Sequence, residues 1–253
     1  MSIHLDFSGK VALITGASQG IGAEMARRFH TAGADVILNH PDLGTTRADA
    51  EQLAAALYAV RPDSAKVVAA DVSDAPAVQR MMRDAQTRHG GIDFLINNAG
   101  ILRDRTVAKM TIEEWQTVVD VNLTGVFHCC KFGLEIMRDG GAIVSLGSIS
   151  AFHGSFGQAN YAAAKAGVAA LMRVVSREAA RRGIRANAIA PGVVDTMMLA
   201  AIPDPVRAEM LKSIPLGRLA TPAEVANVAL FLCSPLASYV TGQTLEVNGG
   251  WRG

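Results

Sequence analysis

Thr15-Gly16-Ala17-Ser18-Gln19-Gly20-Ile21-Gly22 follows directly on the aliphatic run Val11–Ile14, and its Ile21 opens an amphipathic segment. The fold turns on these eight residues. Glycines at such a junction let the backbone bend tightly and approach a pyrophosphate, whose charge is met by the free N–H groups and positive end of the following helix. A bare strand-to-helix turn would use glycine as well, so the turn alone leaves both readings open. If it binds, the contacts are Gly16, Ser18, Gln19, Gly20, Ile21 and Gly22.

Outward from this turn, short β-branched and aliphatic runs alternate with segments of helical period, the sequence form of repeated βαβ units around a parallel sheet. Strands are predicted at Val11–Ile14, Asp35–Leu38, Lys66–Ala69, Phe94–Ile96, Ala142–Leu146, Arg185–Ile189 and Thr244–Val247, with helices near 21–32, 45–60, 75–89, 112–137, 159–182 and 222–232. The expected fold class is α/β: a single-domain Rossmann-type doubly wound parallel sheet of seven strands with helices on both faces. No linker divides the 253 residues, so 1–253 reads as one dinucleotide-binding and catalytic domain. The irregular region from Pro191 to about Leu219, with short helical patches such as Val206–Lys212, reads as a substrate flap at about 195–216.

Half of the chain is hydrophobic and the formal net charge is +1, from 24 Lys+Arg against 23 Asp+Glu. No global field would hold nucleic acid or an anionic membrane, so any ligand is recognised locally. The start Met1–Asp6 lacks the features of a secretory signal, and no apolar run reaches the ~18 residues of a membrane span. These features point to a cytoplasmic protein. Cys129, Cys130 and Cys233 form no CxxC pair and read as buried apolar residues. The histidines show no ligand spacing, so no metal is expected, and His153 reads as a loop side chain.

Tyr161-Ala162-Ala163-Ala164-Lys165 opens a long helical segment. Residues four apart share a helix face, so an ammonium can sit beside a phenol. A cation there favours the phenolate and brings a group of ordinary pKa ~10 into range for proton exchange near neutral pH.

The spacing TGxxxGxG, then Asp71-Val72, Asn97-Asn98-Ala99-Gly100 and Pro191-Gly192 after later strands, resembles the short-chain dehydrogenase/reductase family. The resemblance implies that Asp71 meets the adenine amino group, that Val72 lies beside it, and that the Asn98, Ala99 and Gly100 backbone lines the adenosine side. It also implies that Pro191, Gly192, Val194 and Thr196 lie at the nicotinamide, with Val194 and Thr196 on the carboxamide. Asp71 could instead cap the 75–89 helix. Ser148, thirteen positions before Tyr161, matches the family's Ser-to-Tyr spacing, and Asn122 matches its fourth member. The implied catalytic set is Asn122, Ser148, Tyr161 and Lys165, acting in hydride transfer between a carbonyl and a secondary alcohol, with Tyr161 and Lys165 also touching the cofactor.

The second strand ends Leu38-Asn39-His40-Pro41, so His40 stands where members using NAD place Asp, with Asn39 beside it. No carboxylate there repels a 2′-phosphate, although Gln19 stands where many NADP-using members have Arg. NADP is favoured and NAD remains possible. Within the family, Asn97–Asp104, Gly157–Gly167 and Val247–Gly250 look most like the 3-oxoacyl-[acyl-carrier-protein] reductases, which implies a thioester of acyl carrier protein or CoA as substrate. Lys131, Arg173 and Arg177 would meet an acidic carrier, but His128 stands where carrier-linked members are expected to have Arg. The rival is a dehydrogenase of small ketones and secondary alcohols; a nucleotide sensor or an epimerase is more remote. Met197, Met198, Leu199, Ile202, Met210 and Leu211 of the flap would cover an apolar substrate. The resemblance implies a homotetramer built on the 112–137 and 159–182 helices, with Gly249–Gly253 near a second contact.

Overall fold

The structure is a computed structural model, in which residues 5–196 and 211–251 are described. The strands are β1 (Val11–Ile14), β2 (Asp35–His40), β3 (Ala65–Ala69), β4 (Ile92–Asn97), β5 (Met137–Leu146), β6 (Arg185–Pro191) and β7 (Thr244–Val247). They form one sheet in the order β3-β2-β1-β4-β5-β6-β7, and every pairing is parallel. This is the expected doubly wound fold. The order reverses between β1 and β4, so the loops leaving those strands diverge and open a crevice at the carboxyl end of the sheet.

The helices are α1 (Gly20–Thr31), α2 (Thr46–Val60), α3 (Ala75–His89), α4 (Ile112–Val119), α5 (Gly125–Ile136), α6 (Ser150–His153), α7 (Ala159–Glu178) and α8 (Pro222–Cys233). They cover both sheet faces, which is why β1 and β4 are buried along their whole length. Ile14, Leu38 and Phe94 pack with Phe29 of α1 and Val225 and Leu232 of α8. Leu13, Leu95 and Ile143 pack on the other face with Met82 of α3, Val126 of α5 and Met172 of α7. Phe7, Phe29 and Phe94 stack their rings with centroids 4.8 to 5.7 Å apart beneath the first layer.

Several boundaries differ from the sequence reading, each for a local reason. β2 continues to His40, because polar Asn39 and His40 still pair in the ladder, and β6 continues to Pro191, which ends it opposite Val247 of β7. The single helix expected at 112–137 is interrupted by a π-helical turn at Asp120–Thr124. Such a turn adds one residue without breaking the apolar stripe, so periodicity does not show it. β5 starts at Met137, and its pairing with β4 jumps from Ile92↔Met137 to Phe94↔Ala142. Gly140 and Gly141 disguise that bulge as a turn. Asp93 anchors it by accepting from the Val11 N–H, Lys10 and Arg138. α7 stops at Glu178, and Gly183 at φ 67° closes the short helical turn beyond it. Four-residue α6 is too short to leave a period.

Residues 197–210 of the expected flap, with most of the Val206–Lys212 patch and the Met197, Met198, Leu199, Ile202 and Met210 side chains, lie outside the described residues, as does the end of the Gly249–Gly253 tail. Among the described residues no helix is long and apolar enough to cross a membrane. Cys129, Cys130 and Cys233 are buried free thiols, and burial pushes that of Cys130 up to about 12.

Candidate active site

Buried side chains hold the glycine turn from beneath. The Thr15 hydroxyl, on a residue 1% exposed, accepts the N–H groups of Asn98 and Ala99, each at 3.0 Å. Asn98 in turn donates from Nδ2 to the carbonyls of Thr15 (2.9 Å) and Gly16 (3.0 Å). These bonds tie the ends of β1 and β4 across the crevice. They also force the backbones together: a Cβ on Gly16, at φ +62°, would lie 2.9 Å from the Ala99 Cα, and one on Gly22 would strike the Gly16 carbonyl. Gln19 precedes α1 without capping it, so the first-turn N–H groups of α1 have no side-chain partner. A pyrophosphate fits such a cradle.

At the adenosine end the predicted residues divide into braces and surfaces. Asn39 and His40 are each 1% exposed. Asn39 Oδ1 accepts the Gly16 N–H (3.3 Å), its carbonyl accepts that of Ala17 (2.9 Å), and Nδ2 donates to Ala70 (2.9 Å). Its side chain is a brace under the turn. His40 Nδ1 accepts the Asp42 N–H at 3.0 Å, and burial holds its pKa below the usual value, so it offers no charge to a 2′-phosphate. The exposed charges here are Asp42 and Arg47, paired through two bonds of 2.8 and 2.6 Å that lower the carboxyl pKa and raise that of the guanidinium. Asp71 Oδ1 accepts the N–H (2.9 Å) and hydroxyl (2.7 Å) of Ser73, while Asp74 holds the N-cap position of α3. The capping alternative for Asp71 is thereby displaced by three residues. Val72 packs against Gly125, and its carbonyl pairs with His128 Nδ1 at 3.0 Å.

Asn122, Ser148, Tyr161 and Lys165 converge beside the ends of β4 and β5. Lys165, 3% exposed, donates from Nζ to the carbonyl of Leu146, the last residue of β5, at 2.7 Å. Its Nζ lies 5.6 Å from the centroid of the Tyr161 ring. Ser148 Oγ accepts the Ser150 N–H at 3.2 Å. Asn122, in the π-helical turn, donates from Nδ2 to Val118 (3.0 Å) and Ile101 (2.9 Å) and accepts the Ile101 N–H at 3.2 Å. Gly100 keeps these groups close, since a Cβ there would fall 2.5 Å from Asn122 Oδ1 and 3.6 Å from Lys165 Nζ.

The electrostatics departs from the simple Tyr–Lys expectation. Burial pushes the Tyr161 phenol above its ordinary value, the Ser148 hydroxyl pulls it down, and the Asp104 carboxylate adds to the upward push. Burial brings Lys165 down to about 8, and its ammonium is directed at Leu146. In this arrangement Ser148, not Lys165, is the group that favours the phenolate.

On the far wall, Gly192 donates to the Val247 carbonyl at 2.9 Å and a Cβ on it would meet the Asn248 Cα at 2.8 Å. The Pro191 carbonyl accepts the Ile149 N–H at 3.1 Å, joining this wall to the Ser148 loop. Val194 pairs with Ala220, and Thr196 Cγ2 stands 3.8 Å from where a Gly20 Cβ would be, which brings it over the glycine turn. Sequence reasoning passed over Thr15 and Asn160. Asn160, fully buried, donates to the carbonyls of Arg103 and Glu114 at 3.1 Å each and accepts the Tyr161 N–H at 2.8 Å. A polar residue immediately before each singled-out motif was the available signal.

A family model described as enoyl-(acyl carrier protein) reductase matches residues 16–252. The 3-oxoacyl-[acyl-carrier-protein] reductases of Vibrio harveyi and Escherichia coli are each 40% identical to the chain over 248 residues, covering 97% of it and 98% of their own length. Their Staphylococcus aureus counterpart is 41% identical over 243 residues, covering 95% of this chain and 97% of its own. A solved short-chain dehydrogenase/reductase from Brucella melitensis, titled a glucose/ribitol dehydrogenase, superposes with a TM-score of 0.92 at 36% identity over 98% of both chains.

Proposed function

The chain belongs to the short-chain dehydrogenase/reductase family, and from that membership we propose that it reduces the 3-keto group of a 3-oxoacyl thioester to the secondary alcohol, with Tyr161 as proton donor. Like the family, it is a nicotinamide-dependent oxidoreductase acting on CH–OH and C=O groups. The observation that carries the reading is the convergence of Asn122 and buried Lys165 beside Gly100, with Ser148 and Tyr161 at the same sheet end as the glycine cradle.

When bound, the nicotinamide supplies hydride at the carbonyl carbon. Ser148 and Tyr161 place two hydroxyl donors on the carbonyl oxygen, which stabilises the charge that develops there. Tyr161 gives that oxygen its proton. Lys165, with a pKa near 8, can lose and regain a proton near neutrality and so restores Tyr161. Asn122 pins Ile101 and, with Gly100, shapes the space around Lys165 Nζ. The glycine turn and α1 would hold the pyrophosphate, Asp71 and Val72 would face the adenine, the Asn98–Gly100 backbone would line the adenosine side, and Pro191, Gly192, Val194 and Thr196 would lie at the nicotinamide, with Val194 and Thr196 on its carboxamide.

The coenzyme is NADPH in this reading. Asp42, the exposed carboxylate just past β2, is already neutralised by Arg47, a guanidinium of the kind that would pair with a 2′-phosphate. The relatives named as acting on carrier-protein thioesters support the substrate class. His128 bonds the Val72 carbonyl and contributes no outward cation, so an acidic carrier would rest on exposed Lys131, Arg173 and Arg177, and a CoA thioester serves equally as substrate. Trp115, Phe127 and Val174 expose apolar surface on α4, α5 and α7, supporting a homotetramer built on these helices. Light scattering is expected to give four times the mass of the chain, and a monomer would contradict this.

The experiment that tests the reaction is Tyr161→Phe assayed for NADPH consumption with an acetoacetyl thioester. Turnover is expected to vanish while NADPH still binds; near-parent turnover would refute the assignment.

A further inference from the structure

Beyond the four residues at the reacting oxygen, a chain of polar side chains runs outward from Ser148 to the loop after β4. Asp104 Oδ2 accepts from Gln158 Nε2 at 3.0 Å. Gln158 Oε1 accepts from the Ser150 hydroxyl, also at 3.0 Å. Ser150, 7% exposed, donates its backbone N–H to Ser148 Oγ at 3.2 Å. The Arg105 N–H to Gly157 carbonyl bond of 2.8 Å clips the two loops together beside this chain.

The directions of these bonds are forced. A carboxylate only accepts, so the Gln158 amide must turn its NH₂ to Asp104 and its oxygen to Ser150. The Ser150 proton is therefore spent on Gln158, and the 2.9 Å contact between the Ser150 and Ser155 hydroxyls is made by the Ser155 proton. The Ser150 N–H occupies a lone pair of Ser148, and the Ser148 proton is left to point at Tyr161 or at a substrate oxygen. Reversing the amide would set its oxygen against the carboxylate and its NH₂ against a hydroxyl that would then have to turn.

We infer that Asp104 and Gln158 are positioning residues for the reaction: by anchoring the Ser150 side chain they hold its backbone N–H on Ser148 Oγ, which leaves the Ser148 proton facing Tyr161 or a substrate oxygen. This rests on the proposed role of Tyr161. Among the described residues the charged groups around the tyrosine are few. Lys165 lies on the same helix and donates to Leu146. Arg105 is paired with Glu114 at 3.3 Å, and Arg103 donates to the Leu102 carbonyl. On the α6 side His153 stands 3.6 Å from Glu246. Asp104 is the carboxylate that raises the Tyr161 pKa.

Two substitutions separate orientation from charge. Asp104→Asn keeps an acceptor for Gln158 but removes the charge. Alcohol oxidation requires the phenolate, so the rising limb of kcat against pH is expected to move to lower pH, with coenzyme affinity within twofold of the parent. Gln158→Leu keeps the charge and breaks the chain, so kcat is expected to fall roughly tenfold while the limb stays in place. A limb unmoved in Asp104→Asn, or a Gln158→Leu kcat within twofold of the parent, overturns the inference. Tyr161→Phe in the same assay keeps the two readings distinct: if it is inactive, the result bears on Asp104 and Gln158 alone, and if it is active, the role of Tyr161 fails first.

Discussion

The two ends of the crevice are built on opposite plans. At the glycine turn the groups offered to a ligand are backbone N–H donors, and the side chains of Thr15, Asn39 and Asn98 are spent beneath it, holding that backbone in place. At the β5 end the groups offered are the side chains of Ser148 and Tyr161, and it is backbone that holds their surroundings: the Leu146 carbonyl for Lys165 and both polar groups of Ile101 for Asn122. One end depends on main-chain shape and the other on side-chain chemistry. Substitutions should therefore separate cleanly into effects on coenzyme binding and effects on turnover.

The largest effect is expected at the catalytic end. Ser148→Ala removes the hydroxyl that donates to the developing oxyanion and favours the Tyr161 phenolate, so kcat should fall by roughly 10²–10³ with coenzyme affinity within twofold. Steady-state kinetics with a coenzyme titration checks this, and a matching loss of coenzyme binding would break the division. Gly16→Ala is the mirror experiment. Its Cβ would lie 2.9 Å from the Ala99 Cα at φ +62°, so coenzyme affinity should drop about tenfold or more while kcat at saturating coenzyme changes little.

The smallest effect concerns stability. Lys165 ordinarily has a pKa of 10.5, and burial brings it to about 8 in the folded chain. The unfolded chain therefore binds the proton more tightly, so the penalty is present below pH 8 and disappears as pH rises from 8 to 10.5. It is on the order of 3 kcal/mol, partly offset by the bond to Leu146. Lys165→Met should raise Tm at pH 7 by about 2–4 °C, with the advantage lost near pH 10.5, while turnover collapses. A lower Tm at pH 7 would mean that the charge stabilises the fold.

The sequence was legible where one period or one spacing carries the information. All seven strands follow from aliphatic runs alternating with helical segments, and the Tyr161–Lys165 pair from its four-residue interval, while Ser148 and Asn122 were supplied by the family resemblance. The π-helical turn at Asp120–Thr124 and the bulge in β5 were hidden because each inserts residues without disturbing the apolar pattern. The inward bonds of Asn39 and His40 were not readable, because a polar residue at a strand end looks the same in sequence whatever it pairs with. The Tyr161 environment was also not readable. Four-residue spacing brings an ammonium near the phenol, but only the folded chain shows that burial raises the phenol's pKa and that Asp104, 57 positions earlier, acts on the same group.

The most direct test of the proposed function is kcat/KM for an acetoacetyl thioester, as CoA and as carrier-protein conjugate, against a panel of simple ketones, with NADPH and NADH in parallel. The account predicts that either thioester exceeds every ketone by at least roughly a hundredfold and that NADPH is the better coenzyme. A simple ketone turned over as well as the thioesters, or NADH used tenfold better than NADPH, would contradict it.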